Sequence, residues 1–163
     1  MLGIATNNPS FPSMTRISWT AKASSKVIVA MAVLKLYEDN KLSLDEDIST
    51  YLGFKVRNPY FLDNKITIRL LMTQTSSLMD GSEDYSSGYN FINGTNKKCY
   101  LQDLLVAGNK YYTLDTFDKS APGTNFIYAN FNCGILACII EKISGVLFTD
   151  YVRQEILLPL GVD

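Results

Sequence analysis

The sequence predicts a mainly α-helical chain that folds as one domain. Two long apolar stretches, residues 26–38 and 132–143, have the length and composition of buried helices. The chain has 163 residues, of which 47% are apolar, so it can bury one core and is too short to favour two domains.

Local signals define the elements in the first half of the chain. Asn40 follows the predicted helix 26–38, and asparagine tolerates the left-handed conformation in which helices often end. Ser43 and Glu46 have the spacing of a capping box for a short helix through Tyr51. Thr67 can cap a further short helix over residues 68–73.

The second half of the chain alternates a loop with helices. Residues 79–98 are rich in Gly, Ser, Asn and Tyr, which predicts a long loop. Short helices are predicted at residues 101–107 and 149–157. Between them lies the apolar helix 132–143, and Gly145 is placed to end it.

Composition excludes several classes of partner. The chain has 15 basic and 16 acidic residues and a net charge of −1, which gives no support for binding to nucleic acid or to an anionic membrane. It lacks an uninterrupted apolar span of about 18 residues, so we expect no membrane span. Residues 1–13 lack the basic start and apolar core of a signal peptide. The sequence therefore assigns no compartment.

The cysteines indicate neither a disulfide framework nor a metal site. Cys99, Cys133 and Cys138 are odd in number, contain no Cys-x-x-Cys pair and have no histidine to accompany them. We expect buried, reduced thiols and no metal or other cofactor.

Candidate site residues lie in two places along the chain. Ala23 and Lys26 are three residues apart in a predicted helix, so they share one face. A serine at position 23 would complete a Ser-x-x-Lys acylation site, in which the lysine lies within reach of an attacking hydroxyl. Tyr128 and Asn130 are two residues apart on a predicted extended stretch, so a phenol and an amide can face the same cleft.

Four segments around these residues, in order, resemble serine β-lactamases and penicillin-binding proteins, particularly the class C β-lactamase, D-alanyl-D-alanine carboxypeptidase and esterase branch. Residues 32–47 are similar to the apolar helix and Leu-x-Leu-Asp-Asp ending that follow the family's Ser-x-x-Lys. Residues 66–78 are similar to Ile-Thr-Ile-Arg-His-Leu-Leu-Thr-His-Thr-Ser-Gly-Leu, with both histidines and the glycine replaced. Residues 121–124 and 128–130 resemble the Pro-Gly segment and the Tyr-x-Asn motif, and residues 134–145 and 151–162 resemble the helix and the Pro-Leu-Gly turn that follow.

The resemblance implies an α+β, β-lactamase/transpeptidase-like domain over residues 16–163, preceded by a short polar segment at residues 1–15. The family's Lys-Thr-Gly or His-Thr-Gly strand, which supplies an oxyanion donor and a cation, is missing from this sequence. We therefore expect a mostly helical, incomplete domain that lacks the carboxyl-terminal strands. Helices that normally pack on a sheet would then expose an apolar face, through which copies of the chain could associate.

The resemblance also implies roles for the site residues. Lys26, Tyr128 and Asn130 take the places of catalytic residues, with the tyrosine as acid/base partner and the asparagine holding the lysine and the substrate amide. Ala23 takes the place of the nucleophile, and its methyl group cannot form an acyl-enzyme. Ser24 and Ser25 lie about 100° and 200° further round the helix, so neither has the spacing needed to replace it.

Two functions follow from this sequence. The first is an inactive homologue or fragment that keeps the helical scaffold for ligand binding or protein interaction. The second is a serine hydrolase that acts on a β-lactam, a peptidoglycan stem peptide or a small ester, if Ala23 is an engineered change or the parent chain is complete. Ala23 and the missing strand favour the first. The expected substrate or ligand is a small amide or ester in both cases.

Overall fold

The structure is a computed structural model that describes residues 23–81, 88–95 and 99–162; for residues 23–25, 91 and 93–95 it describes only the backbone. The predicted polar segment 1–15 lies outside these ranges. The described part contains seven α-helices: α1 (Ala23–Glu38), α2 (Ile48–Leu52), α3 (Ile68–Met72), α4 (Gly88–Thr95), α5 (Leu101–Leu105), α6 (Asn130–Ser144) and α7 (Phe148–Val152). A short 3₁₀ turn spans Leu114–Thr116, and α7 continues into a π-helical turn (Arg153–Leu157) and a 3₁₀ turn (Leu158–Leu160).

The described ranges contain no β-strand. Two isolated antiparallel bridges, Asp47 with Thr67 and Leu78 with Phe117, are the extended pairings found there. The prediction of a mostly helical chain is confirmed.

Helix α6 forms the centre of the fold. It packs against α1, α2, α3 and α7, and from Phe131 to Glu141 every residue except Cys138 is buried. Fully burying one of its Ile or Leu side chains stabilises the fold by roughly 1.5–3 kcal/mol. The position of α6 therefore determines where its first residues, which carry part of the candidate site, are held.

Helix α1 is apolar on two opposite faces. Val29, Ala32, Val33 and Leu36, at the i, i+3, i+4, i+7 spacing of a single helix face, are buried in the core. On the other side Val27, Met31, Leu34 and Tyr37 are exposed by 62%, 37%, 43% and 48%. We refer to these four exposed residues as the α1 outer stripe.

Several helix boundaries agree with the sequence predictions. Thr67 caps α3 by accepting a hydrogen bond from the backbone N–H of Leu70. Asn40 and Gly145 both adopt the left-handed conformation, with φ of 56° and 75°, after α1 and α6. The described part of α1, Ala23–Glu38, contains the predicted helix 26–38 and the predicted helical pair Ala23 and Lys26.

The predicted Ser43–Glu46 capping box is wrong. Asp47 caps α2 instead, because its Oδ1 accepts a hydrogen bond of 2.9 Å from the backbone N–H of Ser49. Glu46 accepts from the backbone N–H of Asp47 itself. The helix thus begins later than predicted.

The predicted loop at residues 79–98 is also wrong in part, because it contains α4. The Tyr89 ring of α4 stacks on the Phe131 ring of α6 with 5.0 Å between centroids, and both side chains are buried. This packing outweighs the weak helix propensity of a segment rich in Gly and Asn.

The three cysteines are free thiols, as predicted. Cys99 and Cys133 are buried and Cys138 is partly buried. Burial raises the pKa of the Cys99 and Cys138 thiols to about 12. These thiols are therefore protonated at neutral pH.

In the described part of the chain, no helix taken singly has both the length and the apolar composition to cross a bilayer. Only Asn130–Ser144 and Phe148–Leu160 taken together reach that length, and they are bent by 78° at the break between them.

Candidate functional site

The structure brings Lys26, Tyr128 and Asn130 into contact. Lys26 Nζ donates a hydrogen bond of 3.0 Å to Asn130 Oδ1, across 104 positions of sequence. Tyr128 Oη donates to the same oxygen at 3.2 Å. Lys26 Nζ also lies 4.9 Å from the centroid of the Tyr128 ring, within the range of a cation–π interaction. We refer to these three residues as the Lys26 cluster.

The Lys26 cluster lies at the surface, where the first turns of α1 and α6 meet. Lys26 and Asn130 are partly buried, and Tyr128 is 56% exposed. Ala129 between them is extended, with φ of −142° and ψ of 128°, which turns the side chains at positions 128 and 130 toward the same side. The cluster can thus offer a cation, a phenol and an amide to a ligand from solvent.

Ala23, the predicted nucleophile position, is the first residue of α1. Lys26 follows one turn later in the same helix, as the sequence predicted. The side chains of Ala23, Ser24 and Ser25 lie outside the described part of the structure.

Asp80 is a residue of this site that the sequence did not reveal. Its Oδ2 accepts hydrogen bonds from the backbone N–H and the side-chain Nδ2 of Asn130, at 3.1 and 3.0 Å. Its Oδ1 accepts from the backbone N–H of Phe131 at 2.8 Å. The carboxylate therefore caps α6 from a loop distant in sequence. Its negative charge also interacts favourably with the positive end of the helix dipole. No local motif marks it, because the helix it caps begins 50 positions later.

Gln74 supports the segment that leads into α6. Its Oε1 accepts hydrogen bonds from the backbone N–H of Ala129 at 2.9 Å and from Asn132 Nδ2 at 2.8 Å. Its backbone carbonyl accepts from the N–H of Ile127 at 2.8 Å. In the sequence this residue stood out only as a replacement of a histidine, and the structure gives it a bracing role.

A second layer of buried polar side chains holds in place residues 73–78, the segment after α3 that we call the Gln74 loop. Asn132 Oδ1 accepts from Ser76 Oγ at 2.8 Å, and both residues are buried. Asn58, fully buried, donates to Ser77 Oγ at 2.9 Å and to the Asp118 carbonyl at 2.7 Å. These bonds satisfy groups that would otherwise be costly to bury.

Cys133 lies one turn beyond Asn130 in α6, close to the Lys26 cluster. Burial raises the pKa of its thiol, and the Lys26 charge offsets only part of that increase. A thiol held in its protonated form is a poor nucleophile.

Other features of the surface lie apart from the Lys26 cluster. An open groove of 560 Å³ at the far end of α1 is lined by Tyr37, Lys41 and Tyr51, among others, and by no residue of the cluster. Among the described residues, no group of His, Cys, Asp and Glu side chains has the arrangement needed to hold a metal ion.

The family model described as Beta-lactamase matches residues 23–163 of this chain. The chain belongs to the beta-lactamase family. The match includes α1, the Gln74 loop and α6, and therefore all three residues of the Lys26 cluster.

Two bacterial proteins are similar to most of this chain. Protein flp of Staphylococcus aureus (strain MRSA252) is 28% identical over 142 residues, which cover 85% of this chain and 26% of that protein. Penicillin-binding protein 4* of Bacillus subtilis (strain 168) is 27% identical over 152 residues, covering 93% of this chain and 31% of that protein.

A solved structure shows the same fold. The octameric penicillin-binding protein homologue from Pyrococcus abyssi superimposes with a TM-score of 0.59 and 26% identity, over 93% of this chain and 31% of that one. This chain thus spans about a quarter to a third of the length of these relatives.

Proposed function

We propose that this chain is a catalytically inactive member of the beta-lactamase family that binds a small amide or ester without forming an acyl-enzyme. One observation carries the proposal. Lys26 contacts Asn130 and Tyr128, while Ala23 occupies the position one helical turn before Lys26.

The chemistry of acyl transfer explains why Ala23 matters. Such a reaction needs a nucleophilic oxygen, a base that takes its proton and donors that stabilise the oxyanion. Lys26 and Tyr128 are groups that can exchange protons, and Asn130 can hold the lysine in place. The methyl group of Ala23 supplies no oxygen, so the covalent step lacks its first reactant.

Neighbouring side chains are poor substitutes for the missing hydroxyl. Ser24 and Ser25 are displaced round the helix by about one and two steps of 100° from position 23. The raised pKa of Cys133 keeps its thiol protonated. We therefore expect no alternative nucleophile to act through Lys26.

The remaining groups favour binding to a carbonyl compound. The Lys26 ammonium has two N–H donors besides the one that Asn130 Oδ1 accepts, and these suit a carbonyl or carboxylate oxygen. A β-lactam is the first compound to test, since one relative is named a penicillin-binding protein.

The second candidate is an acyl-enzyme hydrolase, in which a serine stands at position 23 of a longer parent protein. The intact contacts of Lys26 with Tyr128 and Asn130 favour this candidate. In that case Ala23 alone blocks turnover, and restoring the hydroxyl restores the covalent step.

We also propose that copies of the chain associate through the α1 outer stripe. Its four apolar side chains follow helical spacing and remain exposed. A contiguous apolar surface of this kind favours contact with another apolar surface. We further propose that the beta-lactamase-like domain of this chain spans residues 16–163.

Two measurements on the unaltered chain test the binding function. Intact-mass analysis after incubation with benzylpenicillin or a fluorophosphonate should show no adduct. Ligand-observed NMR with benzylpenicillin should show binding that Lys26→Met abolishes and that Lys41→Met, an exposed lysine outside the cluster, leaves unchanged. An adduct would contradict inactivity, and binding equal in both variants would contradict the proposed site.

A further inference from the structure

We propose that Asp80 is the positioning residue of the Lys26 cluster: it selects the orientation of the Asn130 amide and so provides the oxygen that Lys26 and Tyr128 share. This inference rests on the proposed function only where it treats the cluster as a ligand site. The contacts of Asp80 do not depend on which ligand binds.

The first step concerns the two ends of the Asn130 side chain. An amide group has one accepting oxygen and one donating NH₂, and either can face a given neighbour. An ionised carboxylate only accepts, so Asp80 Oδ2 at 3.0 Å requires the NH₂ on its side. Asn130 Oδ1 must then face Lys26 Nζ and Tyr128 Oη, both of which donate to it.

The second step concerns the backbone that carries Asn130. Asp80 accepts hydrogen bonds from the backbone N–H groups of Asn130 and Phe131. Both groups lie in the first turn of α6, where the helix itself provides no carbonyl acceptor for them. The same carboxylate thus fixes both the start of the helix and the rotamer of its first side chain. A shift in the start of α6, or a different rotamer of Asn130, would move the shared oxygen Oδ1 away from Lys26.

The third step separates Asp80 from an ordinary cap. Asp47 also caps a helix, α2, by accepting from the Ser49 N–H, but it makes no contact with the Lys26 cluster among its described bonds. Loss of either carboxylate should weaken a helix start. Only the loss of Asp80 should disturb Lys26 and Asn130.

Exchange of the two side chains provides a sharper variant. In Asn130→Asp alone, a second carboxylate meets Asp80 at hydrogen-bond distance, and the two repel. In the double variant Asp80→Asn with Asn130→Asp, the amide at position 80 can donate through Nδ2 to the carboxylate at position 130 and still accept from the Phe131 N–H through Oδ1, while the backbone N–H at position 130 loses its acceptor. That carboxylate can still accept from Lys26 and Tyr128.

The test is NMR of the ¹⁵N-labelled full chain, which follows the Asn130 side-chain NH₂ and the Lys26 side-chain signals. Asp80→Asn should shift the Asn130 pair and remove its protection from solvent exchange, and Asp47→Asn should leave it unchanged. The exchanged pair should restore the Lys26 signals that Asn130→Asp perturbs. Wild-type Asn130 and Lys26 signals in folded Asp80→Asn would overturn the inference.

A chemical readout supports the spectroscopic one. In an Ala23→Ser background, Asp80→Asn should slow fluorophosphonate labelling by about 10- to 100-fold, the loss expected when reacting groups are misplaced. If Asp80→Asn does not fold, the comparison of Asn130→Asp with the exchanged pair decides the matter, and no recovery in the pair overturns the inference. If Ala23→Ser is never labelled, the proposed nucleophile position fails, while the NMR result still tests Asp80.

Discussion

Replacement of Asn132 by alanine should destabilise the fold through the polar contacts that hold the Gln74 loop. Asn132 is fully buried, donates to Gln74 Oε1 at 2.8 Å and accepts from Ser76 Oγ at 2.8 Å. Each such bond contributes about 0.5–1.5 kcal/mol, and a buried hydroxyl left without an acceptor costs about 1–3 kcal/mol. Gln74 Oε1 loses the bond from Asn132 but keeps the bond from the Ala129 N–H, so this oxygen is not left without a donor.

The lost bond to Gln74, about 0.5–1.5 kcal/mol, and the Ser76 hydroxyl left without an acceptor, about 1–3 kcal/mol, together predict a loss of about 1.5–4.5 kcal/mol in the free energy of unfolding. For a chain of this size the change corresponds to a decrease in Tm of roughly 3–18 °C. The measurement is urea unfolding followed by circular dichroism, together with a thermal melt. Asn125→Ala, at an exposed position, is the matched control and should change stability by less than about 0.5 kcal/mol. Equal stability of the two variants would refute the account of the buried polar layer.

Two further predictions concern the surface and the response to acid. Met31→Glu with Leu34→Glu places two charges in the α1 outer stripe and should convert concentration-dependent association, measured by light scattering, into a monomer. Wild-type chain that is monomeric at every concentration would contradict the proposal. Burial acts to raise the pKa of the Asp47 carboxyl, but hydrogen bonds from Arg57 and Ser49 outweigh it and hold that pKa below its usual range. Because the folded-state pKa is the lower one, the stability due to Asp47 is present above about pH 4 and is lost as the pH falls below it. Wild type should therefore be more stable than Asp47→Asn at pH 7, and the difference should shrink toward pH 3; a constant difference would contradict this assignment.

Local signals predicted the elements whose causes are local. The apolar composition of residues 26–38, the threonine cap of α3 and the glycine after α6 depend on residues close in sequence. The predicted capping box was wrong because Asp47, directly before Ile48, is the N-cap of α2, and it lies nearer to the helix start than Ser43 does. The sequence did not predict helix α4, because the helix is stabilised by Tyr89 stacking on Phe131, a residue 42 positions away in sequence.

The candidate site could be predicted only in part for the same reason. Lys26, Tyr128 and Asn130 occur in motifs with fixed spacing, so a resemblance could place them together. Asp80 and Gln74 act on the start of α6 through bonds that span 50 to 58 positions, and their surroundings in sequence carry no sign of it. Their roles became visible only when the loops and α6 were seen packed together.

The central claim is that Ala23 occupies the nucleophile position beside a Lys26 cluster that is otherwise in place. The most direct test is intact-mass analysis and peptide mapping of three proteins after fluorophosphonate treatment: wild type, Ala23→Ser, and Ala23→Ser with Lys26→Met. The account predicts no adduct on wild type, an adduct at position 23 in the single variant, and loss of that adduct in the double variant. An adduct on Ser24, Ser25 or another residue of the wild-type chain, or a folded Ala23→Ser protein that stays unlabelled, would contradict it.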